Sequence, residues 1–139
     1  MARQAKPASV NRLRFELALI ERGVLRIAGV DEAGRGPLAG PVTAAAVVLP
    51  LAWLRQGLPS ELQGLNDSKQ LSPAQRESFF THLTGNPQVH WHVASLEAPR
   101  IDALNILRAT HQAMRHAIAG IQPPPQHILL DGRPASLLN

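Results

Sequence analysis

Two apolar segments, far apart in the sequence, both stop at an aspartate. The stretch "IAGVDE" runs from Ile27 into the adjacent acids Asp31 and Glu32, and "HILLDG" ends at Asp131 followed by a glycine. Both segments have the length and composition of buried strands. If two such strands run parallel and side by side, their carboxyl ends meet at one edge of the sheet, where open α/β sheets bind ligands. The pattern therefore predicts an α/β fold with an acidic site.

The rest of the chain fits one layered α/β domain. Its 139 residues suit a single domain, in which helices and strands alternate through the second half. We assign residues 1–22 to a basic N-terminal extension with a short helix, and residues 23–139 to the main domain. The predicted elements are a helix at 10–22, strands at 24–30 and 42–49, a helix at 71–83, a strand at 88–94, a helix at 99–120 and a last strand at 127–131.

Two of these elements carry predictions about side chains. Ser72 followed by Pro73 and Gln75 is typical of a capped helix start, and the apolar residues of that helix should face the core. In the third predicted strand, apolar residues alternate with His90 and His92, which we expect to face solvent because no third metal ligand is present. The side chains expected inside are Phe79, Phe80, Leu83, Val89, Trp91 and Val93.

Charge and composition narrow the functional classes. Fourteen basic residues, twelve of them arginine, stand against ten acidic ones, which weakly favours a polyanionic partner. The absence of cysteine excludes disulfides, thiolate zinc sites and a thiol nucleophile, and fits a cytoplasmic protein. No stretch approaches the length of a membrane span, and the N-terminus lacks the continuous apolar segment of a signal peptide. A cytoplasmic protein without a membrane partner is therefore predicted.

The acids at the two strand ends favour a divalent cation. Carboxylates that converge at low dielectric repel one another, and bound Mg²⁺ or Mn²⁺ relieves the repulsion. Because adjacent residues of a regular strand point to opposite faces, we expect either that the chain bends at Asp31 or that Glu32 reaches the ion from a different angle. The turn formed by Gly34, Arg35 and Gly36 offers backbone N–H groups and a guanidinium, which suit a phosphodiester and its sugar.

The motifs together resemble those of the ribonuclease HII family, bacterial enzymes that cut RNA embedded in or paired with DNA. The matching stretches follow the family's order from about residue 14 to residue 132: "FELALIERG", "IAGVDEAGRGPLAGPVTAAAVVL", "LNDSKQLSPAQRE", "IDALNILRATHQAM" and "ILLDG". The resemblance implies a ribonuclease H-like fold for residues 23–139, with a mixed sheet flanked by helices.

The resemblance also implies a catalytic metal site. Asp31, Glu32 and Asp131 would be the catalytic carboxylates and would hold Mn²⁺ or Mg²⁺. The implied reaction is hydrolysis of the phosphodiester on the 5′ side of a ribonucleotide. In two-metal sites of this kind, one ion activates water and the other neutralises charge on the leaving oxygen.

Substrate contacts are implied at two further motifs. The Gly34, Arg35 and Gly36 turn would contact the 2′-hydroxyl at the junction between RNA and DNA, and Lys69 in "NDSK" would lie near a substrate phosphate. The implied substrates are RNA/DNA hybrids and DNA duplexes that contain ribonucleotides, cleaved by a monomeric enzyme.

The chain also departs from the family pattern. The family continues with a Lys-Gly-Asp segment, which brings a fourth carboxylate, and with a tyrosine that stacks at the substrate's sugar; this sequence has no tyrosine and no acid after Asp131. We therefore expect the catalytic domain to be truncated at its C-terminal side. By itself the chain is expected to be a poor nuclease and marginally folded, with "HILLD" as an uncovered edge strand.

Two other functional classes stay open. The chain could be an inactive fragment that at most binds nucleic acid through Arg35 and its basic N-terminus. A phosphoryl-transfer domain of the receiver or phosphatase kind also places acids at strand ends. That class is less well supported, because the chain has no Walker-A spacing and "DEAGRG" lacks a second aspartate two residues after the first.

Overall fold

The described part of the chain forms one sheet with helices on both faces. The computed structural model describes residues 15–33, 41–64, 72–97 and 105–130, and the backbone of 133–135. Its strands are β1 (Ile27–Ala33), β2 (Val42–Val48), β3 (His90–Leu96), β4 (His127–Leu130) and β5 (Arg133–Ala135). Its helices are α1 (residues 15–21), α2 (Leu51–Gln56), a short 3₁₀ helix (Ser60–Leu62), α3 (Pro73–Thr84) and α4 (Ile106–Ala119).

The sheet is mixed, as the resemblance to the family implies. Within the described residues the strand order is β3-β2-β1-β4-β5. Strand β2 pairs antiparallel with both β1 and β3, while β1 pairs parallel with β4. Strands β1, β3 and β4 therefore run in the same direction and end at the same edge. The antiparallel β1-β2-β3 unit excludes the parallel, doubly wound sheet of a receiver domain.

Helix α4 covers one face of the sheet. It connects β3 to β4 across β2 and β1, and it buries one side of its surface against alternate residues of β2. The small Ala44 and Ala46 on that side are fully buried, which lets the helix approach closely. The main core comprises Ala28, Val30, Val42, Ala44, Ala46, Val48, Leu96, Ala109, Ala113, Met114, Ala117, Ile118, Ile121 and Ile128.

On the other face, the described helices cover only the end of the sheet at which β1 begins. There α1 and α2 pack on the sheet through a second cluster, formed by Leu19, Ile20, Ile27, Leu54 and Leu129. Further along, Trp91 is 41% exposed and Val93 is 46% exposed. The predicted burial of these two side chains is therefore wrong, because α4 packs on the opposite side of β3, where Leu96 is buried.

The acidic pair lies inside a strand rather than after it. The first strand begins at Ile27, not at residue 24, and its pairing with β2 continues through Asp31 and Glu32 to Ala33.

The edge of the sheet next to β4 also differs from the prediction. Strand β5 pairs with the outer side of β4, with Leu130 opposite Arg133, so "HILLD" is not the uncovered edge.

The helix predictions hold best where local chemistry fixes the start. Ser72 and Gln75 form the predicted capping box and Gly85 caps the end of α3. Phe79 is buried, but Phe80 is 59% exposed, contrary to the prediction. Helix α4 ends where predicted, but the predicted continuous helix over 99–120 is wrong at Asn105, which has a non-helical backbone and caps the helix before its first residue, Ile106. Residues 98–104 lie outside the described part. No described helix is long and apolar enough to cross a membrane.

Replacing the cap of α3 should destabilise the fold. The Ser72 hydroxyl accepts a hydrogen bond from the Gln75 backbone N–H at 3.1 Å, and the Gln75 side chain accepts one from the Ser72 N–H at 2.8 Å. We expect Ser72→Ala to lower the free energy of unfolding by about 1 kcal/mol. Ser60→Ala, at an exposed serine without a capping contact, should change it by less than about 0.5 kcal/mol. Urea denaturation measures both values, and equal effects would contradict the capping role.

Candidate active site

Strand β1, which carries Asp31 and Glu32, is the parallel neighbour of β4, which Asp131 follows in the sequence. Their register pairs Ile27 with His127 and continues residue by residue until Val30 lies opposite Leu130. The condition on which the sequence argument depended, that the two strands are parallel neighbours, is therefore met. Asp31 is the next residue of β1, and Asp131 follows Leu130 in the sequence. Asp131 itself lies outside the described residues.

Hydrogen bonds at the start of the strands hold this register. The Gln126 side-chain oxygen accepts from the backbone N–H groups of Leu25 at 2.7 Å and Arg26 at 3.0 Å. The Gln126 N–H donates to the Arg26 carbonyl at 2.8 Å, and the Arg26 guanidinium donates to the Pro124 carbonyl at 2.8 Å. The residue that precedes each strand, Arg26 or Gln126, therefore binds the other chain segment just before the pairing begins.

Asp31 and Glu32 point to opposite faces of the sheet. Asp31 lies opposite Ala45, on the face away from α4, and is exposed; Glu32 lies opposite the buried Ala44, on the α4 face, and is half-buried. The pairing stays regular through Ala33, so the chain does not bend at Asp31. This geometry rules out the predicted bend at Asp31. It leaves the other predicted possibility, that Glu32 reaches an ion from a different angle than Asp31.

The acidic pair offers oxygen donors of the type that Mg²⁺ and Mn²⁺ prefer. The Glu32 backbone N–H donates to Asp31 Oδ1 at 2.8 Å, which orients the carboxylate and leaves its second oxygen for a ligand. Within the described ranges, no three histidine or acidic residues lie close enough to hold a metal. The donor set therefore fits such an ion only if a further ligand joins it, and the predicted third ligand, Asp131, lies beyond those ranges.

The predicted substrate-binding residues also fall outside the described part of the chain. Gly34, Arg35, Gly36 and Lys69 lie in the segments 34–40 and 65–71. Their roles stay predictions from the sequence.

Asn105 lies near this edge, and the sequence did not lead us to predict a role for it. Asn105 caps α4, and its side-chain oxygen accepts from the Arg108 N–H at 3.1 Å. Its backbone is left-handed, with φ 68° and ψ 165°, a region that few residues other than glycine adopt. Because β3 ends at the same edge as β1, α4 begins on that side of the sheet. The preference of asparagine for helix caps was the available sequence signal.

Comparison with known proteins identifies the family. The sequence profile described as Ribonuclease HII matches residues 28–137. The chain is 52% identical over 126 residues to ribonuclease HII of Ruegeria pomeroyi, covering 89% of this chain and 50% of that protein. It is 48% identical over 119 residues to ribonuclease HII of Geobacillus thermodenitrificans, covering 86% of this chain and 43% of that protein.

Solved structures agree with this assignment. The structure of ribonuclease H2 from Pyrococcus horikoshii OT3 superposes with a TM-score of 0.64 and 30% identity, over 80% of this chain and 52% of that one. That of Bst-RNase HIII in complex with Mn²⁺ gives a TM-score of 0.52 at 21% identity, over 82% of this chain and 39% of that one, a likeness of fold alone. The mixed sheet is therefore ribonuclease H-like. The chain belongs to the ribonuclease HII family, and it spans about half the length of the curated relatives it matches.

Removing the register contact should loosen the strand pair that carries the acids. Without the Gln126 side chain, two backbone N–H groups lose their acceptor and turn to water. We expect Gln126→Ala to lower the free energy of unfolding by about 0.5–1.5 kcal/mol and to speed amide exchange in β1. Gln88→Ala, at an exposed glutamine whose side chain makes no such cross-strand bond, is the control. Denaturation and hydrogen exchange measure the effect; unchanged exchange in β1 would remove Gln126 from this role.

Proposed function

We propose that this chain supplies the acidic edge of a metal-dependent endoribonuclease, which cleaves the RNA strand of RNA/DNA hybrids and DNA duplexes that contain ribonucleotides. The supporting observation is the parallel register of β1 and β4, which brings Val30 opposite Leu130 directly before Asp31 and Asp131. This register falls within the segment that matches the ribonuclease HII family. Because the chain spans half of its relatives, the activity is a proposal about the protein of full family length.

The proposed metal ligands are Asp31, Glu32 and Asp131, and the proposed ions are Mn²⁺ or Mg²⁺. The donor chemistry supports hard cations, and the related Bst-RNase HIII has been solved with Mn²⁺. When bound, such ions lower the pKa of the attacking water and neutralise the leaving oxygen. The chain's own contribution is to fix the carboxylates: strand pairing holds Asp31 and Glu32, and the Glu32 N–H orients the Asp31 carboxylate.

Recognition of the ribonucleotide is proposed for the segment that follows β1. The Gly34 and Gly36 backbone would approach the sugar closely, because glycine has no Cβ, and Arg35 would donate hydrogen bonds there. A 2′-hydroxyl contact distinguishes RNA from DNA at a single position. Lys69 is the proposed phosphate contact. The monomeric state and the cytoplasmic location stay predictions of the sequence.

Neutralising a proposed ligand should abolish cleavage without unfolding the protein. The test uses a fusion of these 139 residues with the remaining half of the Ruegeria pomeroyi relative. We expect Asp31→Asn and Asp131→Asn each to lower the cleavage rate by more than about 100-fold, since even outer-shell partners of a metal are worth 10–100-fold. Stability should hold or rise, because one repelling charge is removed.

The assay follows cleavage of a DNA duplex that holds one ribonucleotide, with Mg²⁺ or Mn²⁺, and calorimetry follows metal binding. Glu77→Gln, at an exposed acid on α3, is the control and should cleave normally. A near-normal rate for either aspartate variant at saturating metal would refute the ligand assignment.

Removing the Arg35 side chain should reduce the discrimination between ribose and deoxyribose in the substrate. We expect Arg35→Ala to lower kcat/KM by about 10-fold to 100-fold, which is the range for hydrogen bonds from a charged donor, mostly through KM. Metal affinity should change little. Arg55→Ala, at an exposed arginine on α2, serves as the control. Rates on matched duplexes with and without the 2′-hydroxyl give the discrimination, and an unchanged ratio would remove Arg35 from sugar recognition.

The 139-residue chain alone should cleave far more slowly than the fusion. The family supplies a fourth carboxylate that this sequence lacks, and weaker binding of the second ion lowers the rate of an in-line displacement. Rates for both proteins on the same duplex test this. Equal turnover would show that three carboxylates suffice.

A further inference from the structure

The outward side of α4 carries a groove with a volume of about 330 Å³. Its described lining residues are Arg108, His111, Gln112 and Arg115. Because they are spaced three and four positions apart, these residues lie along one side of the helix, opposite the side that buries Ala113 in the core. We call the four lining residues the cationic stripe.

No acid along α4 balances the charge of the two arginines. The helix sequence ILRATHQAMRHAIA contains neither aspartate nor glutamate. Within the described part of the chain, Arg108 and Arg115 form no ion pair, and the side chains of His111 and Gln112 make no hydrogen bond. The two arginines are exposed, and His111 and Gln112 are half-buried between them. The stripe therefore presents unpaired donors to an anionic ligand.

The position of Arg108 does not favour the helix itself. Arg108 is the third residue of α4, in the first turn, where the aligned peptide dipoles favour an acid over a cation. An acid four residues away would offset the charge, but Gln112 occupies that position. The packing and capping of α4 therefore give no reason for a basic side chain at this end, whereas an anionic partner does.

The stripe starts on the side of the sheet that carries the acids. The far end of α4, at Gly120, lies against His92 near the start of β3, so the first turn of α4 lies toward the edge where β1 and β3 end. From Arg108 to Arg115 the helix rises about 10 Å, a length over which each strand of a duplex presents about three phosphates. The stripe thus leads away from the acidic edge over a length that suits a nucleic-acid backbone.

A phosphate backbone that approaches this edge needs cations nearby. Asp31 and Glu32 repel a polyanion, while cations set apart from them attract it without competing for the metal ligands. Glu32 points to the face that α4 covers, so the stripe lies on the same side of the sheet as one of the two acids. A backbone that passes Glu32 on this side meets α4 next.

We propose that the cationic stripe binds the sugar-phosphate backbone of the substrate duplex, away from the bond that is cut. Arg108 and Arg115 contact phosphates, and His111 and Gln112 form hydrogen bonds with backbone oxygens. Contacts of this kind position a duplex and carry no sequence information. An acidic protein segment fits the charge as well, but the start of the stripe beside the acidic edge favours the duplex. The inference rests on the proposed function, which makes a duplex the ligand.

The experiment measures binding without cleavage. The fusion described above is titrated, in the absence of metal, into a fluorescently labelled DNA duplex that contains no ribonucleotide, and anisotropy gives the dissociation constant between about 50 and 200 mM salt. We expect the pair Arg108→Gln and Arg115→Gln to raise it about 2-fold to 30-fold, the range for two exposed ion pairs. The slope of log affinity against log salt should become shallower by about 2. A fusion that fails to cleave would still give this result.

Two matched variants separate a local contact from a general effect of charge. The pair Arg22→Gln and Arg55→Gln removes the same charge from exposed positions at α1 and α2, which pack on the other face of the sheet, and should leave the affinity and the salt slope unchanged. The pair Arg108→Lys and Arg115→Lys keeps the charge and should keep the slope. Thermal unfolding of each fusion shows that a loss of affinity is not a loss of fold.

The cleavage assay gives a second readout. A contact away from the reacting bond stabilises the bound substrate and the transition state equally. On the duplex with one ribonucleotide, the pair Arg108→Gln and Arg115→Gln should therefore raise KM and leave kcat unchanged.

Three results would overturn the proposal. The Arg108 and Arg115 pair of glutamine variants could bind the duplex with the affinity and salt slope of the unmodified fusion. The Arg22 and Arg55 pair could lose as much affinity, which would make the effect one of total charge. Labelled polyglutamate could bind and depend on the stripe while duplex binding does not, which would make an acidic protein segment the ligand.

Discussion

The parallel pairing of β1 with β4 is the constraint on which the remaining architecture depends. It joins Ile27 to His127, which are one hundred residues apart in the sequence. Such a pairing needs a crossover connection, which α4 supplies, and α4 in turn buries the alanine face of β2. A shift by one residue would turn Ile128 out of the core. The apolar core therefore enforces the alignment of the strand ends that carry the acids.

The sequence predicts those features that local chemistry or a continuous apolar run determines. The two apolar runs that lead into Asp31 and Asp131 have similar patterns, which indicate two strands but leave their parallel pairing as a condition that the structure then meets. The start of α3 was recognised because Ser72, Pro73 and Gln75 satisfy the free N–H groups of the first turn without help from the rest of the fold. The roles of Arg35, Lys69 and Asp131 came from resemblance to a family, and they stay predictions.

Features that depend on distant packing were not predictable. Alternation in β3 separates two faces, but it does not say which face a helix covers, so the predicted burial of Trp91 is wrong. The prediction for Phe80 is wrong for the same reason: a helical stripe shows which residues lie together, and not what lies opposite them. Strand β5 is short and contains a proline, which is tolerated in an edge strand but gives a weak strand signal.

The opposite orientations of Asp31 and Glu32 restrict where one ligand can contact both acids. Because the strand separates the two side chains, a single ion would be reached by Asp31 from one face and by Glu32 from the other. For the proposed nuclease, this favours a site at the edge of the sheet over a pocket within one face, so that a duplex would approach along that edge.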